Sequence, residues 1–216
     1  MHIVLFGATG NVGQRIAREA VARGHQVTGV VRDPAQVSPP DPRVALVAGD
    51  ATDAASVERL ANGADAIVSA ISPRPNPRGL PAPRLADAAR AVIAGARAAG
   101  VARIVSVGGT GSLDVAPGQQ LMNAPTFPEA YRAEAREGFE ALTAFREHGA
   151  GLDWTVVSPA AEIGPGERTG RYRDTGDRFV PDATGRSTIS FDDYAVAVLD
   201  ELEAPKHAGG RFGVAY

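Results

Sequence analysis

The sequence predicts an α/β fold in which helices cover both faces of a doubly wound parallel sheet, with a small irregular portion towards the C-terminus. Two observations support this prediction. Short and nearly continuous apolar runs, which are typical of strands buried on both faces, recur along the chain. Segments with helical periodicity separate these runs, as parallel strands joined by right-handed crossovers require. We expect residues 1–216 to form one domain.

The apolar runs predict seven strands, at residues 2–6, 26–31, 44–48, 66–71, 103–107, 154–157 and 211–216. A first helix is expected to end at Gly24, and further helices are predicted at residues 53–62, 85–99, 128–148 and 191–203. Asp53 is the expected N-cap of the second helix, and Asp192 and Asp193 are expected to cap the last one. Two segments interrupt the pattern: a proline-rich stretch at 72–84, and a glycine- and arginine-rich stretch at 164–178.

Composition narrows the function classes. The net charge is −3, so the chain has no basic field of the kind that attracts nucleic acid. No apolar run approaches the ~20 residues that span a bilayer, which favours a cytoplasmic protein without a membrane partner. Cysteine is absent and the four histidines lie far apart in the sequence, and we therefore predict no metal site. The only lysine, Lys206, is badly placed for Schiff-base chemistry or a phosphate-binding P-loop.

The glycine-rich turn after the first predicted strand has the spacing of a dinucleotide-binding motif. It reads GATGNVG at residues 7–13. In such a turn, Gly7 permits the tight bend, Gly10 lets the backbone approach a pyrophosphate, and Gly13 lets the helix lie close to the strand. The helix N-terminus that follows offers free N–H groups and a positive dipole to the phosphates. With a strand before it and a helix after it, the motif predicts a Rossmann-type dinucleotide site. The other residues of this site are Thr9, Asn11 and Val12.

A basic residue at the end of the second strand indicates which dinucleotide binds. Arg32 follows Gly13 by 19 residues. An acidic residue at this position holds the ribose of NAD, whereas an arginine accommodates the 2′-phosphate of NADP. The neighbouring Asp33 precedes a proline and is expected to cap the next turn. Asp50, which Ala51 follows after the third strand, either accepts a hydrogen bond from the adenine or caps the helix that begins near Asp53.

Longer stretches of the chain carry a family resemblance. GATGNVG is followed by VVRDP at 30–34, AGDATD at 48–53, VSAIS at 68–72, SVGGTGSL at 106–113, DWTVVSP at 153–159, PGERTGRY at 165–172 and DYAVA at 193–197. This series resembles the atypical short-chain dehydrogenase/reductase superfamily, in the NAD(P)H-binding group of NmrA-like and biliverdin reductase B-like proteins. Over essentially the whole chain, it is similar to bacterial proteins provisionally named NADH-flavin reductases. The resemblance implies a nucleotide-dependent electron transfer.

The chain departs from that superfamily at its catalytic pair. Classical members use a tyrosine with a lysine four residues later, and the lysine lowers the tyrosine pKa. Here Tyr131 is followed four residues later by Ala135. Ser106 and Tyr131 therefore cannot be assigned to the classical roles, and alcohol–ketone chemistry by that route is not expected.

A reductase can work without a dedicated acid when the acceptor handles its own protons. The leading hypothesis is therefore NADPH-dependent hydride transfer to a flavin, quinone or similar flat conjugated acceptor, with FMN or FAD as a substrate rather than a bound prosthetic group. Residues 109–127 and 159–190 are expected to form the substrate side. Thr110 and Tyr131 are the candidate catalytic hydroxyls. The expected nicotinamide contacts are Ala70, Ile71, Ser72, Val107 and Gly108, with Ser158 and Pro159 as a wall.

Three alternatives remain open at this point. The first is a redox-sensing regulator that binds NADP without catalysis, and the second is an isomerase or biosynthetic reductase acting on a specific metabolite. The third concerns three arginines, which either bind an anionic acceptor or pair with nearby acids in a solvated hairpin. These arginines are Arg168, Arg171 and Arg173, and the nearby acids are Glu167, Asp174 and Asp177.

Overall fold

A computed structural model describes residues 1–74 and 81–216. The strands are β1 His2–Phe6, β2 Gln26–Val31, β3 Ala45–Ala48, β4 Ala66–Ser69, β5 Arg103–Val107, β6 Asp114–Ala116, β7 Gln119–Gln120, β8 Asp153–Ser158, β9 Glu162–Gly164, β10 Arg173–Gly176, β11 Thr188–Ser190 and β12 Gly210–Ala215. The α-helices are α1 Asn11–Ala22, α2 Ala54–Ala61, α3 Leu85–Ala98, α4 Arg132–His148 and α5 Phe191–Glu203. Short 3-10 turns lie at Pro34–Gln36, Thr110–Ser112, Leu121–Asn123 and Glu129–Tyr131.

The main sheet has the order β10-β12-β8-β5-β4-β1-β2-β3. Its strands pair in parallel except for β10, which is antiparallel to β12. The order reverses between β1 and β4, because the chain first winds outward to β3 and then crosses to β4 and beyond. This is the doubly wound Rossmann arrangement, and it confirms the predicted fold class.

Two apolar clusters bury the two faces of the sheet. One contains Tyr194, Leu199 and Phe212 from α5 and β12 together with residues of α1. The other contains Phe145 and Trp154, whose rings stack at 5.5 Å, together with residues of α2, α3 and α4. The helices on opposite faces therefore hold the strands from both sides, and the carboxyl edge of the sheet stays free for the loops. Among the described residues, no helix combines the length and the apolar character needed to cross a membrane.

The structure departs from the sequence prediction near the helix ends. Ser190, and not Asp192 or Asp193, is the N-cap of α5, because its Oγ accepts the backbone N–H of Asp193 at 2.9 Å. Residues 129–131, predicted as the start of a helix, form a 3-10 turn before α4. Pro128 precedes this turn with an extended backbone conformation. The irregular portion also contains two small sheets, β6 with β7 and β9 with β11, that periodicity does not predict.

Candidate dinucleotide-binding site

The register of the parallel strands brings the predicted site loops to one edge. Phe6 pairs with both Val30 and Ser69, and Ser69 pairs in turn with Ser106. One residue beyond Ser106, Val107 pairs with Val157. The loops after β1, β2, β4, β5 and β8 therefore leave the sheet side by side, at the point where the strand order reverses. Ligands of doubly wound sheets bind at such a point.

Two glycines of the turn at 7–13 are required by the packing of the protein itself. Gly7 has φ +80°, and a Cβ on it would lie 2.5 Å from the carbonyl oxygen of Ala70. A Cβ on Gly13 would overlap the carbonyl oxygen of Gly7. The first turn of α1 can therefore lie against the end of β1 only if both positions lack a side chain.

Gly10 differs, because the protein itself leaves room for a side chain there. A Cβ on Gly10 would touch only the Gly7 oxygen, at 3.4 Å, and its φ of −71° is open to any residue. Gly10 is the N-cap of α1, where no side chain caps the helix and no acidic residue lies in the first turn. Among the described residues, therefore, no side chain caps the positive N-terminus of α1, and the space beside Gly10 fits a close-lying phosphate.

The loop after β2 places Arg32 on the surface, where its Nη1 donates to the carbonyl oxygen of Pro81 at 3.0 Å. The proline-rich segment thus returns to the end of β2, although residues 75–80 of that segment lie outside the described residues. Asp33 caps the following 3-10 turn as predicted, with its carboxylate accepting the N–H of Ala35 at 3.0 Å.

The loop after β3 resolves the structural alternative for Asp50. Asp53 caps α2, accepting the N–H of Ala55 at 3.1 Å. Asp50 instead accepts both the backbone N–H and the hydroxyl of Thr52, each at 2.8 Å. Asp50 therefore shapes the turn before the helix and remains exposed at the same edge, while Ala51 is buried beside it.

The loops after β5 and β8 form the side predicted for the nicotinamide. Gly108 donates its N–H to the carbonyl of Val157 at 2.7 Å. Ser158 is fully buried, and its Oγ has no hydrogen-bond partner within the described parts of the chain. Pro159 is buried next to it, while Ala70 and Ile71 are half-buried and Ser72 is exposed on the β4 side. An unpartnered buried hydroxyl at this edge fits a site that takes a polar ligand.

The two candidate catalytic hydroxyls have different surroundings. Thr110 Oγ1 donates to the carbonyl oxygens of Pro159 and Ala160, at 2.7 and 2.9 Å, and so joins the loops after β5 and β8. Tyr131 is 54% exposed at the end of a 3-10 turn. Neither side chain lies against a lysine, because Lys206 lies just before β12, at the opposite edge of the sheet. Their catalytic role stays a prediction.

Tyr194, on α5, also contacts this edge of the sheet, although the sequence did not single it out. Its side chain is fully buried, and its hydroxyl donates to the carbonyl of Val157 at 2.6 Å. Burial raises the pKa of this phenol well above its ordinary value. Tyr194 therefore supports the β8 loop as a neutral donor.

The structure does not pair Arg168 or Arg173 with the acidic residues that the solvated-hairpin alternative named. Arg168 reaches α1 and binds both carboxylate oxygens of Glu19, at 2.7 and 2.8 Å. Arg173 instead donates to the carbonyl of Tyr216. The Arg168 hydrogen bonds hold the pKa of Glu19 below its ordinary value against the opposing effect of burial, with a further contribution from Arg23. Glu19 is a polar residue on the otherwise apolar face of α1. That interruption of the apolar pattern is the sequence signal that could have indicated an ion pair at this position.

A second arginine that the sequence did not single out fixes the substrate-side loop. Arg211 on β12 is buried, donates to the carbonyl of Ser112, and binds the carboxylate of Asp177 at 2.5 Å. The residues after Thr110 are thereby attached to the sheet. Asp174, the other predicted partner, contacts His207 at 3.0 Å.

Comparison with known proteins agrees with this geometry. Residues 7–205 match the family model described as NAD(P)H-binding. The chain is 38% identical to YwnB of Bacillus subtilis, over 99% of this chain and 98% of that protein. A solved structure from Bacteroides thetaiotaomicron, provisionally named an epimerase, is 38% identical with a TM-score of 0.87 and covers 100% of this chain and 96% of its own. A structure from Streptococcus pneumoniae, provisionally named an NADH-flavin reductase, is 30% identical with a TM-score of 0.83. The match covers 100% of this chain and 99% of that one.

The family match begins at Gly7, the first residue of the glycine turn, and it includes all the loops at the carboxyl edge. The structural neighbours are atypical short-chain dehydrogenase/reductase proteins, which confirms the resemblance seen in the sequence. The cradle of glycines, the uncapped helix and the whole-chain similarity lead to one conclusion: this chain belongs to the NAD(P)H-binding family.

Proposed function

We propose that the protein is an NADPH-dependent reductase that delivers hydride to a flavin, a quinone or a similar flat conjugated acceptor. The observation that supports the proposal is the set of hydrogen-bond partners of the hydroxyls at the carboxyl edge. Thr110 and Tyr194 both donate to backbone carbonyls there. Neither hydroxyl has a lysine beside it to activate it. The site is therefore poorly suited to a substrate that needs a strong protein acid, but it suits an acceptor that takes its proton from water.

The residues fit the cofactor in a definite way. The N-terminus of α1 and the open side of Gly10 would hold the pyrophosphate, and Arg32 would bind the 2′-phosphate. Asp50, which is exposed, would lie on the adenine side, and Ser158, whose hydroxyl has no partner among the described residues, would lie on the nicotinamide side. When bound, NADPH supplies a hydride, and the acceptor takes up that hydride together with one proton from water, leaving NADP⁺.

The cofactor preference is tested by replacing Arg32 with alanine. We expect the Kd of NADPH to rise at least about tenfold, while that of NADH changes by less than about twofold, because only NADPH carries the 2′-phosphate. Arg18→Ala is the matched control, since Arg18 also donates to a proline carbonyl, that of Pro40 at 2.9 Å. Equal losses for the two dinucleotides would show that Arg32 is misassigned.

The reaction is tested by stopped-flow oxidation of NADPH with riboflavin, FMN and a quinone. Turnover with at least one of these acceptors is expected. Tight NADPH binding without acceptor-dependent turnover would overturn the reductase proposal. That outcome would instead favour a regulator that senses the NADP redox state, which the missing tyrosine–lysine pair also permits.

A further inference from the structure

A cavity of about 460 Å³ lies beyond the ends of β8 and β12. Its walls are β9, β11, the loop at 165–167 and the ring of Tyr216. This volume falls within the roughly 300–1,000 Å³ range of small-molecule sites. The lining includes the half-buried Ile163 and the buried Ile189, and nothing in the described structure lies within 4 Å of a Cβ added at Gly164.

The chain connects the cavity to elements of the candidate dinucleotide site in two places. The first lining residue of the cavity, Glu162, comes three residues after Pro159, and the Thr110 hydroxyl holds that connection at Pro159 and Ala160. At the second connection, Ser190 is followed by Phe191, whose ring lies 5.4 Å from the guanidinium of Arg15 on α1. One connection therefore leads from the cavity to the wall predicted for the nicotinamide, and the other leads to a residue in contact with α1.

The charges around the cavity are mostly negative. Its titratable lining side chains are Glu162, Glu167 and Tyr216. The carboxylate of Asp193 lies behind Tyr216 and accepts its hydroxyl at 2.7 Å. Arg186 partly compensates this negative charge, because it pairs with Glu162 at 2.9 Å on the exposed rim of the cavity.

The nearby arginine is oriented elsewhere. Arg168 follows Glu167 directly in sequence, but its guanidinium is bound to the carboxylate of Glu19 on α1. No lysine or arginine lines the cavity within the described parts of the chain. Since Arg186 on the rim is already paired with Glu162, a phosphate group entering this cavity would meet the carboxylate of Glu167 with no guanidinium in the described lining to bind it, which is unfavourable.

We propose that this cavity is the acceptor site of the reductase and that it selects uncharged flat rings, such as riboflavin or a quinone, over phosphorylated flavins such as FMN. The inference rests on the proposed function and goes beyond it by naming the acceptor class. The selection operates by repulsion of the phosphate, so it weakens as salt screens the carboxylates.

The test compares kcat/KM for riboflavin and FMN at low and high ionic strength with saturating NADPH. Riboflavin should be favoured by about tenfold at low salt, and the gap should narrow at high salt. Glu167→Arg should close most of the gap, whereas Glu147→Arg, which makes the same charge change at the end of α4, should leave it unchanged. Equal values for both flavins in the unmodified protein would overturn the selectivity.

The location of the site is tested separately with Gly164→Val. The added side chain enters open space, so stability and NADPH affinity should be retained while kcat/KM for riboflavin falls at least about tenfold. Unchanged turnover in a folded variant would show that the acceptor binds elsewhere. Riboflavin binding followed by fluorescence quenching separates the two proposals: binding that Gly164→Val abolishes, in a protein without turnover, refutes the reductase function but retains the site.

Discussion

Replacing Gly13 with alanine perturbs the contact on which the cradle depends. The new Cβ would overlap the carbonyl oxygen of Gly7, so either the first turn of α1 or the end of β1 must move. Gly10→Ala is the informative companion, because its Cβ would meet the same oxygen at an ordinary 3.4 Å. Gly13→Ala should therefore damage both folding and dinucleotide binding, whereas Gly10→Ala should damage binding with a smaller loss of stability.

The magnitudes follow from the packing. Overpacking of this kind costs about 1–3 kcal/mol, and the helix propensity of alanine offsets up to about 1 kcal/mol of that cost. A net loss of about 1–2 kcal/mol lowers the Tm by roughly 2–8 °C in a chain of this size. At the N-cap, alanine in place of Gly10 costs under about 1 kcal/mol. The Kd of NADPH should rise at least about tenfold in both variants, which corresponds to about 1.4 kcal/mol.

The assay combines thermal unfolding with NADPH titration. Gly24→Ala is the comparison at the other end of α1, where φ is +86° and no atom lies within 4 Å of an added Cβ. It should lower stability by about 1 kcal/mol through backbone strain and leave binding intact. Unchanged affinity in Gly10→Ala would refute the assignment of the phosphates to this turn. An unchanged Tm in Gly13→Ala would refute the packing argument.

Two further predictions concern charged groups. Arg168→Ala should lower stability by about 1 kcal/mol in chemical denaturation, because Glu19 then keeps only Arg23 as a partner, while Arg171→Ala at an exposed neighbour should change nothing measurable. Burial raises the pKa of Glu201, but the hydrogen bonds to its carboxylate, first that of His207, lower the pKa by more than burial raises it. The net pKa therefore lies below the ordinary 4.5. The contribution of the ionised Glu201 to stability is therefore present above pH 4.5 and lost as the pH falls through the depressed pKa. Glu201→Gln should make the free energy of unfolding fall less steeply with decreasing pH. An equally steep fall in the variant would contradict this assignment.

Local patterns predicted much of the fold. The bounds of β1, β2, β5 and α5 agree with the predicted runs, because short-range periodicity decides them. The cap at Asp53 and the turn at Asp33 were likewise predictable, since each carboxylate accepts an N–H two residues away. The meeting of the site loops at one edge follows from parallel strands and a reversal of their order.

Long-range contacts were not predictable in this way. Arg168 and Glu19 are separated by 149 residues, and the sequence favoured acidic partners that lie closer along the chain. The sequence singled out Thr110 as a candidate catalytic hydroxyl, but it did not show that the loop after β8 brings two carbonyls within hydrogen-bond distance of this hydroxyl. The choice of Ser190 over two neighbouring aspartates as the cap of α5 depends on where the helix starts in space.

The sequence alone therefore determined the class of fold and the glycine cradle, because both are encoded within a few neighbouring residues. The tertiary structure decided which of the three cradle glycines the protein itself requires and where Arg168 is bound. It also decided that the described lining of the cavity at β9 and β11 contains two glutamates and neither a lysine nor an arginine. These features depend on atoms that only the folded chain brings together, and sequence separation carries no information about their distances.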